Sequence, residues 1–216
     1  MNATIVSVGG GGYDVADKVR KSGLFAGAQL LVCDTDVVAL VESTSHADAR
    51  FLIKRDREKE TKAKPDDIRD LLEQIGDTII LCATLGGLTG SAYAPIIAHE
   101  VRRIGKFVCS IFTMPLDFEG RNQAATAARS ALLAASDFAI QQNNDRFRAV
   151  AEGPCTINAW SENQGFIDIL KLVLSDSTLK EWATVSDTEK LLSLIPENYR
   201  IPGEPYIELH ANGCSA

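Results

Sequence analysis

The sequence predicts a three-layer α/β fold, a mostly parallel sheet with helices on both faces. Three observations carry that prediction. Continuous apolar runs such as TIVSV, QLLVC, TIILCA and FVCSIF read as strands buried on both sides. Between them lie segments of helical periodicity, the alternation that builds a sheet from βαβ units. The polar and glycine-rich stretches follow the strands, so they gather at the carboxyl edge, where such sheets bind ligands.

In chain order, TIVSV is the first strand, followed by a helix through Asp14–Ser22 that Gly23 is placed to end. QLLVCDTD is the second strand, VVALVE starts a short helix, and ARFLI is the third strand. The mixed-charge run KRDREKETKAKPDD reads as a solvated loop. Pro65 and Asp66 then start a helix with Ile68, Leu71, Leu72 and Ile75 on one face. DTIILCATL is a central strand, GGLTGS a loop and APIIAHEVRRIG a helix. KFVCSIFTMP is a strand, AATAARSALLAAS a helix, and DFAIQQNND the last strand. Beyond Gly153 the pattern changes. INAWSENQGFIDILKLVLS reads as one long helix, SDTEKLLSLI as a short one capped by Ser186, and the Pro- and Gly-rich end as an irregular tail. The expected division is a nucleotide-binding domain over 1–153 and a helical extension with its tail over 154–216.

Composition narrows the function classes. A net charge of −7 and a pI near 5.0 count against a nucleic-acid partner. No apolar run approaches the roughly 20 residues of a membrane span. The start MNATIVSVGG lacks the basic and apolar regions of a signal peptide, so a cytoplasmic location is expected. Five cysteines form no C-x-x-C pair and read as small buried thiols. His46, His99 and His210 are scattered, and no metal ligand is assigned to them.

The run Gly9–Gly12 sits where the first strand turns into the first helix. One glycine usually suffices for a sharp bend, so four suggest that something lies against the backbone. Phosphate is the candidate, because a helix N-terminus offers unpaired N–H groups and a positive dipole end. A dinucleotide fingerprint begun at Gly9 needs glycine at position 14, which is Asp14; begun at Gly10 it needs glycine at Val15. Asp34 does mimic the ribose-binding acid. An NAD-linked oxidoreductase is nevertheless the weakest of the readings, and no G-K-[ST] follows either glycine cluster.

Five loops, taken in order, decide the question: Gly9–Asp14, Asp34-Thr35-Asp36, Gly86-Gly87-Leu88-Thr89-Gly90-Ser91-Ala92, Pro115-Leu116-Asp117-Phe118-Glu119-Gly120 and Asn143-Asn144-Asp145. Together they resemble the tubulin superfamily and, within it, the FtsZ-type GTPases, over roughly Thr4 to Val150. The resemblance implies a Rossmann-like GTPase-domain sheet that binds GTP or GDP, with Mg2+ as the accompanying ion. It implies that Gly10, Gly11 and Gly12 offer N–H groups to the α- and β-phosphates. Gly87, Thr89, Gly90 and Ser91 would form a second anion nest. Glu119 would accept from ribose hydroxyls, Arg121 would stand in for an arginine that is here Gln123, and Asn144 would read a purine edge. Asp14 or Asp168 would accept the two in-line donors of guanine.

The chain also departs from the family pattern. Leu88 and Ala92 replace two signature glycines, which is expected to crowd a terminal phosphate, and the run Lys54–Asp67 holds no glycine. Nothing after Ser175 resembles the acidic loop with which the family's second domain activates water in the next subunit, and about forty residues cannot build such a domain. The expectation is a guanine-nucleotide-binding protein of cytoskeletal or cell-division type with weak or no hydrolysis of its own. Its partner would be a second copy or an FtsZ-like protein. The alternative is a non-enzymatic structural or regulatory module with a degenerate nucleotide site.

Overall fold

A computed structural model describes residues 3–42, 46–53, 63–145, 170–171, 183–184, 193 and 207–211. Its strands are β1 (Ala3–Val8), β2 (Gln29–Asp34), β3 (Ala49–Leu52), β4 (Thr78–Thr84), β5 (Phe107–Met114), β6 (Phe138–Asn143) and β7 (Ile207–Ala211). Its helices are α1 (Gly10–Lys21), α2 (Val37–Glu42), α3 (Arg69–Leu72), α4 (Leu88–Arg103) and α5 (Asn122–Ala135), with 3-10 turns over Pro65–Ile68 and Asp117–Glu119. The strands form one sheet in the order β3-β2-β1-β4-β5-β6-β7, parallel except for β7, which runs antiparallel to β6. This is the mostly parallel sheet that the sequence predicts.

Alternate residues of the central strands feed two cores. Ile5, Ile80 and Cys82 face one side, where α1 buries Tyr13, Val15, Ala16 and Val19. Val6, Val8, Ile79 and Leu81 face the other, against Tyr93, Ala94, Ile97, Ala98 and Val101 of α4 and Ala125, Ala128 and Leu132 of α5. Helices on both faces leave the strands no solvated side, which is why each reads as an unbroken apolar run.

Several boundaries differ from the sequence expectation. The first helix begins at Gly10 rather than Asp14. Gly9 makes the sharp turn at φ +78, and the remaining three glycines are already helical. The second glycine loop is likewise shorter than expected: α4 starts at Leu88 with Gly87 as its N-cap, so Thr89, Gly90 and Ser91 lie in its first turn. The helix expected from Pro65 is a 3-10 turn followed by the four residues of α3, although Ile68, Leu71 and Ile75 are buried as the pattern requires. The expected irregular tail is corrected at 207–211, where β7 makes β6 no longer the last strand. Ile207 and Leu209 bury in the core and Arg129 pairs with Glu208 at 3.1 Å. The charged run at 54–62 and nearly all of the two C-terminal helices lie outside the described residues. Cys33, Cys82 and Cys109 are free and buried, and burial pushes each thiol far up. No helix among the described residues is long and apolar enough to cross a membrane.

The glycines of α1 set how close helix and sheet come. A Cβ on Gly12 would stand 2.6 Å from the Cys82 carbonyl oxygen and 3.3 Å from the Ala83 Cα, both backbone of β4. Backbone cannot swing aside as a flexible side chain does, so the helix would have to lift. Gly12→Ala is therefore expected to destabilise by about 2 kcal/mol, in the usual range for overpacking. Thermal denaturation checks this: a Tm lowered by several degrees is expected.

Candidate functional site

The strand order reverses between β1 and β4, the topological switch point of a doubly wound sheet. Two helices start there from opposite faces. α1 follows β1, α4 follows β4, and both press on Thr84, the last residue of β4. A Cβ on Gly11 would strike the Thr84 side chain, and one on Gly90 would strike its carbonyl oxygen. Neither helix has a side-chain cap hydrogen bond at its N-terminus. The unpaired N–H groups and positive dipole ends of both therefore face the same edge.

A cleft of about 240 Å³ opens at this edge. Gly11, Asp14, Thr84, Leu85 and Gly87 line it toward β1 and β4, while Thr113, Pro115, Glu119, Arg121 and Asn144 line it toward β5 and β6. Six of the residues singled out from the sequence thus share one cavity: Gly11, Asp14, Gly87, Glu119, Arg121 and Asn144. Gly10, Gly12, Thr89, Gly90 and Ser91 are not part of its lining. Gly12 and Gly90 serve close packing. Thr89 turns toward β2, donating its hydroxyl to Asp34 Oδ1 at 2.8 Å and meeting Thr35 Oγ1 at 2.7 Å. Ser91 Oγ accepts the Gly86 N–H at 2.8 Å and so braces the loop. Sequence reasoning missed Thr84, Leu85 and Thr113; their one signal was their position at or just past the carboxyl ends of strands.

Gly10 and Gly87 differ from their neighbours. A Cβ on either would meet nothing within 4 Å, and neither has a positive φ. Neither crowding nor backbone conformation requires glycine at these two positions, which leave bare backbone at the two helix starts.

The far side of the cleft is held by polar contacts. Glu119 Oε1 accepts the Leu116 N–H at 2.9 Å, and its Oε2 lies 3.7 Å from Arg121 Nη1. Asp145 Oδ2 accepts the Asp117 N–H at 2.8 Å, tying the loop after β5 to the one after β6. Asn144 Oδ1 accepts from Gln142 Nε2 at 3.1 Å, so the amide oxygen expected to read a base already has one partner. The two departures from glycine stay clear of the cleft. Leu88 is 57% exposed and absent from the lining, and Ala92, half-buried on α4, packs against the core. Asp168 lies outside the described residues.

Comparison with known proteins places the chain in a family. Residues 2–152 match the family model described as the Tubulin/FtsZ family, GTPase domain. The chain is 31% identical over 156 residues to the cell division protein FtsZ of Mycoplasmopsis pulmonis, covering 67% of this chain and 40% of that protein. It is 30% identical over 162 residues to cell division protein FtsZ 1 of Pyrococcus woesei, covering 68% and 43%. It thus spans about two fifths of the length of these relatives. Among solved structures, the empty FtsZ dimer of M. jannaschii matches with a TM-score of 0.64 at 22% identity, over 81% of this chain and 56% of that one. TubZ of Clostridium botulinum phage c-st also matches at 0.64 with 16% identity, over 84% and 65%. At these identities the structural matches speak for the fold.

Asp14 holds its place at a cost. Burial, then the nearby Asp17, raises its carboxyl above the ordinary value, with Lys18 opposing. A carboxyl raised on folding holds its proton more tightly in the folded chain, so its contribution to stability falls as pH rises past the ordinary Asp value of about 3.9. Asp14→Asn is expected to raise Tm at pH 7 and leave it unchanged near pH 3, as read by thermal denaturation at the two pH values.

Proposed function

The chain belongs to the Tubulin/FtsZ family, and from that premise we propose that it binds GDP or GTP in the cleft between α1, α4 and the loops after β5 and β6. The phosphates lie over Gly10 and Gly87, and the base lies toward Asp14 and Asn144. The observation that carries this reading is the bare backbone at those two glycines. Both sit at helix starts without a side-chain cap, where N–H groups and dipoles favour an anion, and neither a close contact nor a positive φ calls for glycine there. Glu119 keeps one oxygen on the Leu116 N–H and offers the other toward a ribose hydroxyl, beside Arg121. Mg2+, which takes one or two carboxylates plus substrate phosphates and needs no all-protein cage, would be held chiefly by the phosphates. Its role is of cytoskeletal or cell-division type in the cytoplasm, with a second copy or an FtsZ-like protein as partner.

Guanine carries two adjacent donors, N1–H and the exocyclic amine, which a carboxylate accepts and adenine cannot supply. GDP is therefore expected to bind at least tenfold more tightly than ADP, about 1.4 kcal/mol. Isothermal calorimetry decides this, and equal affinities would refute guanine selectivity. Acid extraction of the purified protein followed by chromatography tests the ligand class directly: guanine nucleotide supports the reading, and a dinucleotide contradicts it.

Hydrolysis by this chain alone is expected to be slow. The carboxylates lining the cleft are Asp14, placed here at the base, and Glu119, engaged by Leu116 and Arg121. Neither is free to orient water at a terminal phosphate, a role typically worth 10²–10⁴ in rate. Phosphate release measured across a concentration series is expected to show no rise in specific activity. A steep rise above a threshold concentration would show that a neighbouring copy supplies the missing group.

A further inference from the structure

Beside the two glycine loops, on the β2 side, stands a buried carboxylate. Asp34 ends β2 and is 6% exposed. Its Oδ1 accepts the N–H of Thr35 at 2.6 Å, the N–H of Asp36 at 3.1 Å and the hydroxyl of Thr89 at 2.8 Å. Three donors on one oxygen fix the group in place, yet no cation pairs with it among the described residues. Buried carboxylates ordinarily have a cationic partner, so this one leaves a negative charge standing in the structure.

Its position gives that charge a consequence. Across the carboxyl edge the order is Asp34 on β2, Gly9 after β1, Thr84 on β4, Thr113 on β5 and Asn143 on β6. Neighbouring strands lie about 4.8 Å apart. A nucleotide with its base near Asn144 and its phosphates at the helix starts points its free phosphate end toward β2. Beyond the cleft lining on that side stands Thr89, its hydroxyl bound to Asp34, and a Cβ on Gly9 would meet Thr89 at 3.4 Å. A third phosphate would thus add its charge beside a fixed carboxylate, while a second phosphate would stop at the glycine backbones.

We propose that Asp34 makes this site prefer a nucleoside diphosphate to the triphosphate, by holding a negative charge where the third phosphate would lie. The proposal rests on the nucleotide reading above and adds to it the residue that sets the phosphate number. It attributes the discrimination to the charge of Asp34 and not to the bulk of Leu88, whose side chain is mostly exposed.

The test is calorimetric titration of the full chain with GDP and with GTP at a fixed millimolar Mg2+ concentration, repeated with Asp34→Asn. The amide keeps the shape and the acceptor oxygen and removes the charge. The GTP-to-GDP affinity ratio is expected to rise at least tenfold in the variant, about 1.4 kcal/mol. The γ-methyl ester of GTP, which carries one negative charge fewer, is expected to bind the unaltered chain more tightly than GTP itself. That second measurement decides alone should Asp34→Asn fail to fold. An unchanged ratio overturns the proposal, and a lowered ratio overturns it by showing that Asp34 holds the cation. An ester that binds no tighter than GTP also overturns it. GDP binding that persists in any of these cases leaves the nucleotide reading standing. Failure of the unaltered chain to bind either nucleotide removes that reading and the proposal with it.

Discussion

The close approach of two helix starts to the end of β4 is the constraint on which the rest depends. α1 and α4 come from opposite faces of the sheet, yet both reach Thr84, and only glycine at 11 and 90 lets them do so. The approach fixes the depth at which α1 seats Val15 and Val19 in one core and α4 seats Tyr93 and Ile97 in the other. It also brings two sets of uncapped N–H groups to a single edge. Core packing and site geometry therefore share one cause. Lifting either helix would loosen a core and pull apart the two sets of donors.

The glycines divide accordingly into those the fold needs and those it does not. Gly9 supplies a positive φ, Gly11 makes room for the Thr84 side chain, Gly12 and Gly90 make room for backbone, and Gly10 and Gly87 supply neither. The failed dinucleotide fingerprint becomes intelligible in these terms. Its third glycine exists for close helix–strand packing, and here Gly12 meets that need against the Cys82 carbonyl. The physical requirement was present at a different spacing. Around the loops, hydroxyls serve as struts: Thr89 reaches back to Asp34 and Ser91 to Gly86, so the second glycine loop is held from both sides.

Much of this was legible in the residues. The parallel strands announce themselves because burial on both faces removes any polar alternation, and the loops at their carboxyl ends identify the site edge. Both helices start earlier than their residues suggest, at Gly10 and Leu88, because glycine lowers helix propensity while tertiary packing here demands its small size. β7 was hidden by the Pro- and Gly-rich residues around it, although Ile207, Leu209 and Ala211 alternate with Glu208 and His210 as an edge strand should. The hydroxyls of Thr89 and Ser91, which the resemblance assigns to a ligand, also brace loops in the fold. That bracing depends on Asp34 and Gly86 lying nearby in space, which spacing along the chain cannot reveal.

The central claim is that Gly10 and Gly87 are glycine for the sake of a bound nucleotide. Titration of GDP into the unaltered chain and into Gly10→Ala and Gly87→Ala, with thermal melts of each, tests it most directly. Both variants are expected to stay folded, Gly10→Ala gaining about 0.5–1 kcal/mol from helix propensity and Gly87→Ala losing up to about 1 kcal/mol as an N-cap, and both are expected to lose GDP affinity at least tenfold. Variants that melt as expected and bind GDP as tightly as the unaltered chain would contradict the account.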